Sequence, residues 1–168
     1  MEILIDTPRL QMRCFILEDA PEVLAFSACE ATAKYTGDAG KITSIEGAQY
    51  IIENIWLAEY AKYGYGRYAL IHKADNKVIG FSGIKYMPEF GCPDIGYRLL
   101  PKYWGKGLGA EAVMATLDYA QNVLGEKTIK AEVAEGNVAS SKILLKSGFN
   151  HIKTYQEDGA TLHLYEYQ

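Results

Sequence analysis

Cysteine is scarce in this sequence, and the few cysteines show no organised spacing. The 168 residues include only Cys14, Cys29 and Cys92. An odd number of widely separated thiols does not build the disulfide framework of a small secreted protein. We therefore expect free or buried thiols in a reducing compartment. No cluster of His, Cys or carboxylate residues has metal-ligand spacing, so we expect no metal site.

Long apolar runs and an excess of positive charge are also lacking. No stretch approaches the roughly 20 apolar residues that a membrane-spanning helix needs. The first residues show no basic region followed by an apolar core, as a secretory signal would. The formal net charge is -4, whereas a dedicated nucleic-acid-binding protein carries a basic face. These absences argue against membrane insertion, secretion and nucleic-acid binding, and they predict a cytoplasmic protein.

The sequence does have enough apolar material for one core. Hydrophobic residues make up 49% of the 168 residues, and a typical domain holds roughly 100–200 residues. No Pro/Gly/Ser-rich linker, internal repeat or low-complexity segment divides the chain. We expect a single domain over residues 1–168.

Apolar periodicity and turn residues predict alternating strands and helices. The predicted strands are residues 10–15, 68–72, 78–84, 94–100 and 128–135, with a final pair between 148 and 167. The predicted helices are residues 18–29, 42–60, 110–124 and 138–146. Asp75-Asn76 predicts a hairpin, and Thr43 and Glu46 have capping-box spacing. This order predicts a mixed α/β or α+β fold around one central sheet.

A glycine-rich turn, Trp104-Gly105-Lys106-Gly107-Leu108-Gly109-Ala110, lies between a predicted strand and a predicted helix. Glycine permits positive φ and lets a ligand approach the backbone closely. The first turn of a helix offers unpaired N–H groups and a partial positive charge. The pattern favours a pyrophosphate bound across residues 105–110, with Lys106 adding charge. The alternative is a tight turn without a ligand.

Two common nucleotide motifs fit this turn poorly. The P-loop pattern G-x-x-x-x-G-K-S/T has no counterpart in it. The dinucleotide pattern G-x-G-x-x-G fits only if Ala110 replaces the last glycine. The turn also follows a predicted hairpin and does not open a repeated βαβ unit.

The turn resembles the acetyl-CoA pyrophosphate motif of the GNAT N-acetyltransferases, Q/R-x-x-G-x-G/A. Gly107 and Gly109 match its last two fixed places, while Trp104 stands in the first place. The form W-G-K-G resembles the ribosomal-protein N-terminal acetyltransferase branch. Further similar stretches follow the order of that branch along nearly the whole chain. They are Thr7-Pro8-Arg9-Leu10 with Arg13, Ile95-Gly96-Tyr97, Asn137 with Ser140, and Lys146-Ser147-Gly148-Phe149.

The resemblance implies a GNAT-like fold that binds acetyl-CoA as acyl donor. It implies a central, mixed but mostly antiparallel sheet, about four flanking helices and two splayed strands that admit the pantetheine arm. The donor would bind through main-chain groups of residues 104–110 and through the backbone of Leu99 and Leu100. Asn137 would contact the pantetheine or order the helix that follows, and Ser140 would lie near the thioester sulfur.

Acetyl transfer to an amine needs a proton acceptor, a donor to the oxyanion and a donor to the departing thiolate. Many GNAT members use a tyrosine as the general acid, four residues before the glycine of the G-F pair. This chain has Leu144 at that position. We expect Ser140 to donate to the sulfur; its alternative is a bond to its own helix backbone. Asp94 and Glu89 are the candidate bases, acting through water, with solvated loop carboxylates as their alternative. The Leu99 N–H is the candidate donor to the oxyanion.

Tyrosine is abundant, with 13 residues in the chain. The clustered members are Tyr60, Tyr63, Tyr65, Tyr68, Tyr86 and Tyr97. They indicate either an aromatic-lined acceptor pocket or packing in the core. His72, His151 and His163 stand on predicted strands, and we interpret them as structural or surface residues. The segment 35–38 lies between the first two predicted helices, where the resemblance to the GNAT family implies that the acceptor enters.

The leading hypothesis is an N-acetyltransferase that moves an acetyl group from acetyl-CoA to a primary amine by direct transfer. The acceptor is a protein N-terminus or a small amine. The alternative is a non-catalytic acyl-CoA-binding or regulatory module. This alternative stays open because Leu144 occupies the position of the family's usual tyrosine. A third reading, a nucleotide-phosphate binder, predicts that ATP or NAD competes with CoA. A homodimer paired through edge strands is compatible with the predicted architecture.

Overall fold

One mixed sheet organises the molecule, whose computed structural model describes residues 1–29 and 42–168. Its strands are β1 Ile5–Asp6, β2 Leu10–Arg13, β3 Arg67–His72, β4 Lys77–Met87, β5 Cys92–Leu99, β6 Ile129–Ala134, β7 Asn150–Glu157 and β8 Ala160–Tyr167. Their spatial order is β1-β2-β3-β4-β5-β6-β8-β7. All neighbouring strands are antiparallel except β5 and β6, which are parallel. The predicted mixed, mostly antiparallel sheet is confirmed.

Helices flank this sheet on both faces. The described helices are α1 Ala20–Ser27, α2 Ile45–Ile51, α3 Leu57–Tyr63, α4 Leu108–Asn122 and α5 Val138–Lys146. A π-helical segment, Ile52–Trp56, joins α2 to α3 without a break. Among the described helices, none is both long and apolar enough to cross a bilayer. The segment 35–38, predicted to admit the acceptor, lies outside the described residues.

The start of α2 differs from its prediction. The predicted cap at Thr43 is wrong, because Ser44 is the N-cap and its side chain accepts a hydrogen bond from the Gly47 N–H at 3.0 Å. Thr43 and Ser44 can both cap a helix, so sequence alone leaves the choice open. Ala48 and Ile52 are fully buried one turn apart, and their packing sets the register of the helix.

Two hydrophobic clusters hold the helices to the two faces of the sheet. The cluster beneath α4 and α5 includes Leu70, Ile84, Val113, Leu117 and Phe149. The cluster beneath α1 and the π-helical segment includes Phe15, Val23, Phe26, Ile52 and Trp56. Because both faces are covered, β3 is buried without interruption from Tyr68 to Ile71, which explains its continuous apolar run.

Candidate active site

A gap opens in the sheet between β5 and β6. The two strands pair at one position, Asp94 opposite Lys130. In contrast, β5 pairs with β4 along its whole length, from Cys92 to Leu99. Beyond Asp94 the parallel strands therefore part, and the chain leaves β5 for the glycine turn. The predicted pair of splayed strands is confirmed at this place.

The backbone of β5 alternates between bonds to β4 and exposure to the gap. The Leu100 N–H donates to the Ile79 carbonyl at 2.9 Å, and the Leu100 carbonyl accepts from the Tyr103 N–H at 2.9 Å. Bonded and non-bonded positions alternate along an antiparallel ladder. The N–H and C=O of Leu99 are therefore directed away from β4, towards the gap. The Leu99 carbonyl is already bonded to the Trp104 indole, so the Leu99 N–H is the backbone group that faces the gap, whereas the Leu100 N–H is bonded to β4.

The glycine turn forms one wall of a cavity of about 550 Å³, which we call the donor cavity. Gly107 is the N-cap of α4 with a φ of 79°, a left-handed conformation that costs other residues about 1–2 kcal/mol. Among the described residues, no side chain caps this helix, so the N–H groups of its first turn stay available to a ligand. These N–H groups and the positive end of the helix dipole suit a phosphate.

Most of the predicted donor-binding residues line the donor cavity. They are Leu99, Trp104, Gly105, Gly107, Leu108, Gly109, Ala110, Asn137 and Ser140. The other two, Leu100 and Lys106, are not among its lining residues. The Lys106 ammonium lies 5.8 Å from the centroid of the Tyr103 ring, so it contributes positive charge beside the turn.

Side chains from the turn tie it to the sheet. The Trp104 indole N–H donates to the Leu99 carbonyl at 2.8 Å. The Tyr103 hydroxyl donates to the Asp75 carboxylate at 2.6 Å. The turn is thereby fixed both to the end of β5 and to the hairpin between β3 and β4.

The N-terminal segment also holds the turn. Glu111, in the first turn of α4, accepts a hydrogen bond from the Thr7 hydroxyl at 2.6 Å and pairs with the Arg9 guanidinium at 2.8 Å. Arg9 also donates to the Lys106 carbonyl at 2.8 Å. Burial raises the pKa of Glu111, but the bonds from Thr7 and Arg9 outweigh it and hold the pKa below its ordinary value. We call Thr7, Arg9, Glu111 and the Lys106 carbonyl the N-terminal clamp.

Asn137 and Ser140 begin α5 beside β5. Asn137 is the N-cap, and its Oδ1 accepts from the Ser140 N–H at 3.3 Å, so Asn137 orders the helix. The Ser140 Oγ lies 2.9 Å from the hydroxyl oxygen of Tyr97 on β5. Burial raises the pKa of Tyr97 above its ordinary 10.0, so the phenol stays protonated in the neutral range. Sequence reasoning named both residues and did not find their contact.

A second cavity, of about 580 Å³, adjoins the first and is called the acceptor-side cavity below. The two cavities share Tyr97, Arg98, Asn137 and Ser140. The further walls of the acceptor-side cavity come from helices on both faces of the sheet and from strands β3, β4, β5, β6 and β8. They include Phe26, Ile55, Trp56, Phe81, Lys85, Asp94, Glu132 and Leu144. An apolar cavity with ionisable groups thus meets the donor cavity at Ser140.

The two predicted bases occupy different places. Asp94 lines the acceptor-side cavity, and its Oδ1 lies 2.9 Å from the Arg67 guanidinium. Arg67 also donates to the Gly83 carbonyl at 2.6 Å, so it fixes Asp94 to the sheet. Glu89 is exposed in the turn between β4 and β5 and lines neither of the two cavities.

Glu132 is an acidic residue of this site that sequence reasoning missed. It lies on β6, lines the acceptor-side cavity and accepts a hydrogen bond from the Tyr155 hydroxyl. Burial raises the pKa of Glu132, against the opposing effect of the Tyr155 bond. A carboxyl whose pKa moves towards neutrality is a better proton acceptor. The sequence shows that apolar and polar residues alternate at Ala131, Glu132 and Val133. It does not show the cavity beside this strand.

The histidines and most of the clustered tyrosines lie outside the two cavities. His72 pairs with Asp75 at 3.1 Å. His151 and His163 both contact Thr154 in the hairpin of β7 and β8. The remaining clustered tyrosines, apart from Tyr97, pack against the core beneath α4 and α5. Within residues 1–29 and 42–168, no group of three or more His, Cys, Asp or Glu side chains is arranged to hold a metal ion.

A sheet that parts beside a glycine turn at the start of a helix is the arrangement that the sequence motifs predicted for an N-acetyltransferase. The family model described as "Acetyltransferase (GNAT) domain" matches residues 9–150. The chain therefore belongs to the GNAT acetyltransferase family, as its motifs predicted.

Individual relatives agree with this assignment. The chain is 32% identical to an uncharacterized N-acetyltransferase, p20, of Bacillus licheniformis, over 85% of this chain and 80% of that protein. It is 28% identical to the uncharacterized N-acetyltransferase YoaA of Bacillus subtilis (strain 168), over 98% of this chain and 89% of that protein. A solved RimL structure, a ribosomal L7/L12 alpha-N-protein acetyltransferase in complex with coenzyme A, has a similar fold. Its TM-score is 0.81 at 16% identity, over 98% of this chain and 97% of that one.

Proposed function

We propose that this protein moves an acetyl group from acetyl-CoA to a primary amine by direct transfer. The observation that carries the proposal is that two cavities share the wall formed by Tyr97, Arg98, Asn137 and Ser140, because direct transfer needs the donor and the acceptor in adjoining sites. One cavity offers helix N–H groups to a pyrophosphate. The other offers the Glu132 carboxylate to an ammonium group. Membership of the GNAT family supports acetyl-transfer chemistry.

Acetyl-CoA, as the acyl donor, supplies a thioester whose carbonyl carbon is open to attack by an amine. The N–H groups of Leu108 to Ala110 would hold the pyrophosphate. The Leu99 N–H would bind the pantetheine arm or the oxygen that becomes negative during attack. Ser140 would donate a hydrogen bond to the departing sulfur. RimL, whose structure holds coenzyme A, supports CoA as the carrier because its fold is similar.

Glu132 is the proton acceptor that we propose for the amine. An amine is mostly protonated at neutral pH, so a base must take its proton before attack. The Asp94 carboxylate forms an ion pair with the Arg67 guanidinium at 2.9 Å. To accept a proton, Asp94 would have to give up this ion pair. Glu89 stays a candidate only through a longer water chain, since it lines neither cavity. Glu132 combines a place in the cavity wall with a pKa raised by burial.

The acceptor is a small amine or the first residues of a peptide. The acceptor-side cavity, of about 580 Å³, lies within the roughly 300–1,000 Å³ of small-molecule sites. Phe26, Trp56 and Phe81 line it with aromatic surface. A RimL protein is named as acting on the α-N-terminus of a ribosomal protein, and this likeness supports testing N-terminal peptides beside small amines.

Calorimetric titration of the purified protein with acetyl-CoA tests the donor site, with ATP and NAD as controls. Selective binding of acetyl-CoA supports the proposal, whereas equal binding of ATP or NAD supports a general nucleotide-phosphate site. Release of free thiol is then followed while peptides and small amines are offered. Binding of acetyl-CoA without thiol release from any amine would favour the non-catalytic module.

A further inference from the structure

The hydroxyls of Tyr97 and Ser140 meet where the two cavities join. Tyr97 comes from β5 and Ser140 from the first turn of α5, and their oxygens are 2.9 Å apart. Both side chains line both cavities. This contact joins β5, on one side of the gap, to α5, the helix that follows β6. It is therefore placed to act on whatever lies at the junction of the cavities.

Close packing fixes the Tyr97 ring. A Cβ added at Gly109 would stand 3.0 Å from Tyr97 Cε2 and 3.3 Å from Ile143 Cδ1. Glycine at this position lets the ring lie directly against the start of α4, where the anion-binding N–H groups are. The edge of the ring thus lies against α4 while its hydroxyl contacts Ser140.

Either hydroxyl can donate in this contact, because each carries one hydrogen and can also accept. A serine hydroxyl has one hydrogen and two lone pairs, so Ser140 can accept from Tyr97 and donate to a third group. The Tyr97 phenol remains protonated because burial raises its pKa. When Tyr97 donates, the Ser140 hydrogen is left to serve another acceptor, and the bond polarises it.

The side chain one turn beyond Ser140 cannot take over this role. Leu144 is 4% exposed and lines the acceptor-side cavity with an apolar surface. A hydroxyl directed at the junction must therefore come from elsewhere in the fold, and the Tyr97–Ser140 pair supplies one.

We propose that Tyr97 is a positioning residue, which donates its phenolic hydrogen to Ser140 Oγ and thereby directs the serine hydrogen to the thioester sulfur. The inference rests on the proposed function. As the carbon–sulfur bond breaks, its electron pair passes to sulfur, and the thiolate is stabilised by Ser140. Glu132 takes one proton from the ammonium group before attack and passes it to solvent. The nitrogen loses its second proton to solvent as the amide forms, and the thiolate takes one proton from solvent. Tyr97 and Ser140 both keep their protons.

The test compares the affinities of CoA and dethio-CoA, which lacks the sulfur, at about pH 9, above the ordinary thiol pKa of about 8.5. The variants are Tyr97→Phe, Ser140→Ala and the double variant. Tyr97→Phe keeps the ring and removes only the hydroxyl. Tyr86→Phe is the matched control, because Tyr86 lies on neighbouring β4 and lines neither cavity. Circular dichroism and melting curves check that each variant is folded.

We expect Tyr97→Phe and Ser140→Ala each to weaken CoA binding by about tenfold, as for one hydrogen bond to a charged group. Dethio-CoA binding and the Tyr86→Phe control stay at the wild-type level. The double variant loses no more than either single variant, because Tyr97 acts through Ser140. The rate of acetyl transfer follows the same non-additive pattern.

Three results would overturn the inference. If Tyr97→Phe binds CoA with wild-type affinity, Tyr97 has no positioning role. If a variant loses equal affinity for CoA and for dethio-CoA, the role of the replaced residue is purely structural. Losses that multiply in the double variant show that the two hydroxyls act independently. If wild-type protein transfers acetyl groups in these cases, the proposed function stands. If wild-type protein binds no CoA, the proposed function fails and this inference fails with it.

Discussion

Asp94 and Glu132 face the same cavity with different partners. Asp94 is bound to a guanidinium that also holds the backbone of β4. Glu132 is bound to the Tyr155 hydroxyl and is partly withdrawn from water. A neutral partner and burial leave a carboxyl ready to take a proton, whereas an ion pair commits a carboxylate to structure. The two side chains are therefore separable by mutation.

Replacing Glu132 with glutamine keeps the shape of the side chain and removes its capacity to accept a proton. We expect kcat to fall by about 10²–10⁴-fold, the usual contribution of a general base. Burial raises the pKa of Glu132 above its ordinary 4.5, so wild-type rates decline as pH falls through that raised value. Rates measured across pH at saturating substrates check both points.

Glu46→Gln is the control for this experiment, since Glu46 is exposed on α2, outside both cavities. It is expected to keep the wild-type rate and the wild-type decline in acid. A Glu132→Gln protein that keeps both would show that the base lies elsewhere.

Gly107→Ala tests the shape of the glycine turn. The added Cβ would stand 3.4 Å from Arg9 Nη2, and flexible Arg9 can relieve that contact. The φ of 79° is the larger obstacle, with a cost of about 1–2 kcal/mol. If the turn relaxes to escape this cost, we expect acetyl-CoA to bind about tenfold more weakly by calorimetry.

Gly125→Ala carries the same backbone strain away from the site, with a φ of 74° and nothing within 4 Å of the added Cβ. It is expected to lower stability without changing acetyl-CoA affinity. Equal affinities for both alanine variants would mean that the shape of the turn does not matter for binding.

At the scale of elements, the N-terminal clamp joins the turn between β1 and β2 to the start of α4 and to the glycine turn before it. Arg9→Ala removes the ion pair with Glu111 and the bond to the Lys106 carbonyl. The Arg9 side chain is 45% exposed, and exposed ion pairs contribute only about 0–1 kcal/mol. We therefore expect acetyl-CoA affinity to fall by no more than about fivefold, with kcat unchanged.

Lys73→Ala provides the comparison, because Lys73 forms an exposed 2.8 Å pair with Asp6 in the same region, apart from the turn. Its acetyl-CoA affinity is expected to match the wild type. A larger effect on kcat than on affinity in Arg9→Ala would contradict a role confined to holding the turn.

Elements with strong periodicity could be predicted from the sequence, while their junctions could not. Apolar spacing and the turn residues at the ends of the segments predict the strand before the glycine turn, α4 and α5. The π-helical segment Ile52–Trp56 lies inside the helix predicted over residues 42–60, and its sequence does not distinguish it from an α-helix. β1 has only two residues, Ile5–Asp6, too few for a pattern.

The candidate site was predictable in its local part only. Residues 104–110 are contiguous, so their glycines and the helix that follows could be recognised together. The Tyr97–Ser140 contact joins residues 43 positions apart, and the wall position of Glu132 depends on how β6 parts from β5. Such contacts depend on the tertiary arrangement and leave no spacing rule in the sequence. The homodimer stays a prediction.

At the scale of the whole molecule, the clamp links stability to pH through Glu111. Its pKa is held below the ordinary 4.5 by Thr7 and Arg9 against the effect of burial. A lowered pKa stabilises the folded state above the unfolded value and loses that contribution as pH falls through the folded value. We expect wild type to melt above Glu111→Gln near neutral pH, and the difference to vanish in acid.

Thermal unfolding of both proteins across pH measures this difference. Glu46→Gln is the control, because Glu46 also lies in the first turn of a helix but is exposed. A difference between wild type and Glu111→Gln that persists unchanged in acid would exclude the ionised clamp as its source.

Because of the gap between β5 and β6, the stability of the folded chain should depend on the concentration of the acyl donor. An acyl donor that enters the gap binds the folded chain, because the unfolded chain has no parted strands to receive it. Such a ligand stabilises the fold by RT ln(1 + [L]/Kd), about 2.7 kcal/mol at one hundred times Kd. The melting temperature of this protein is then a function of donor concentration. Unfolding curves alone can rank acyl donors, with no acceptor present.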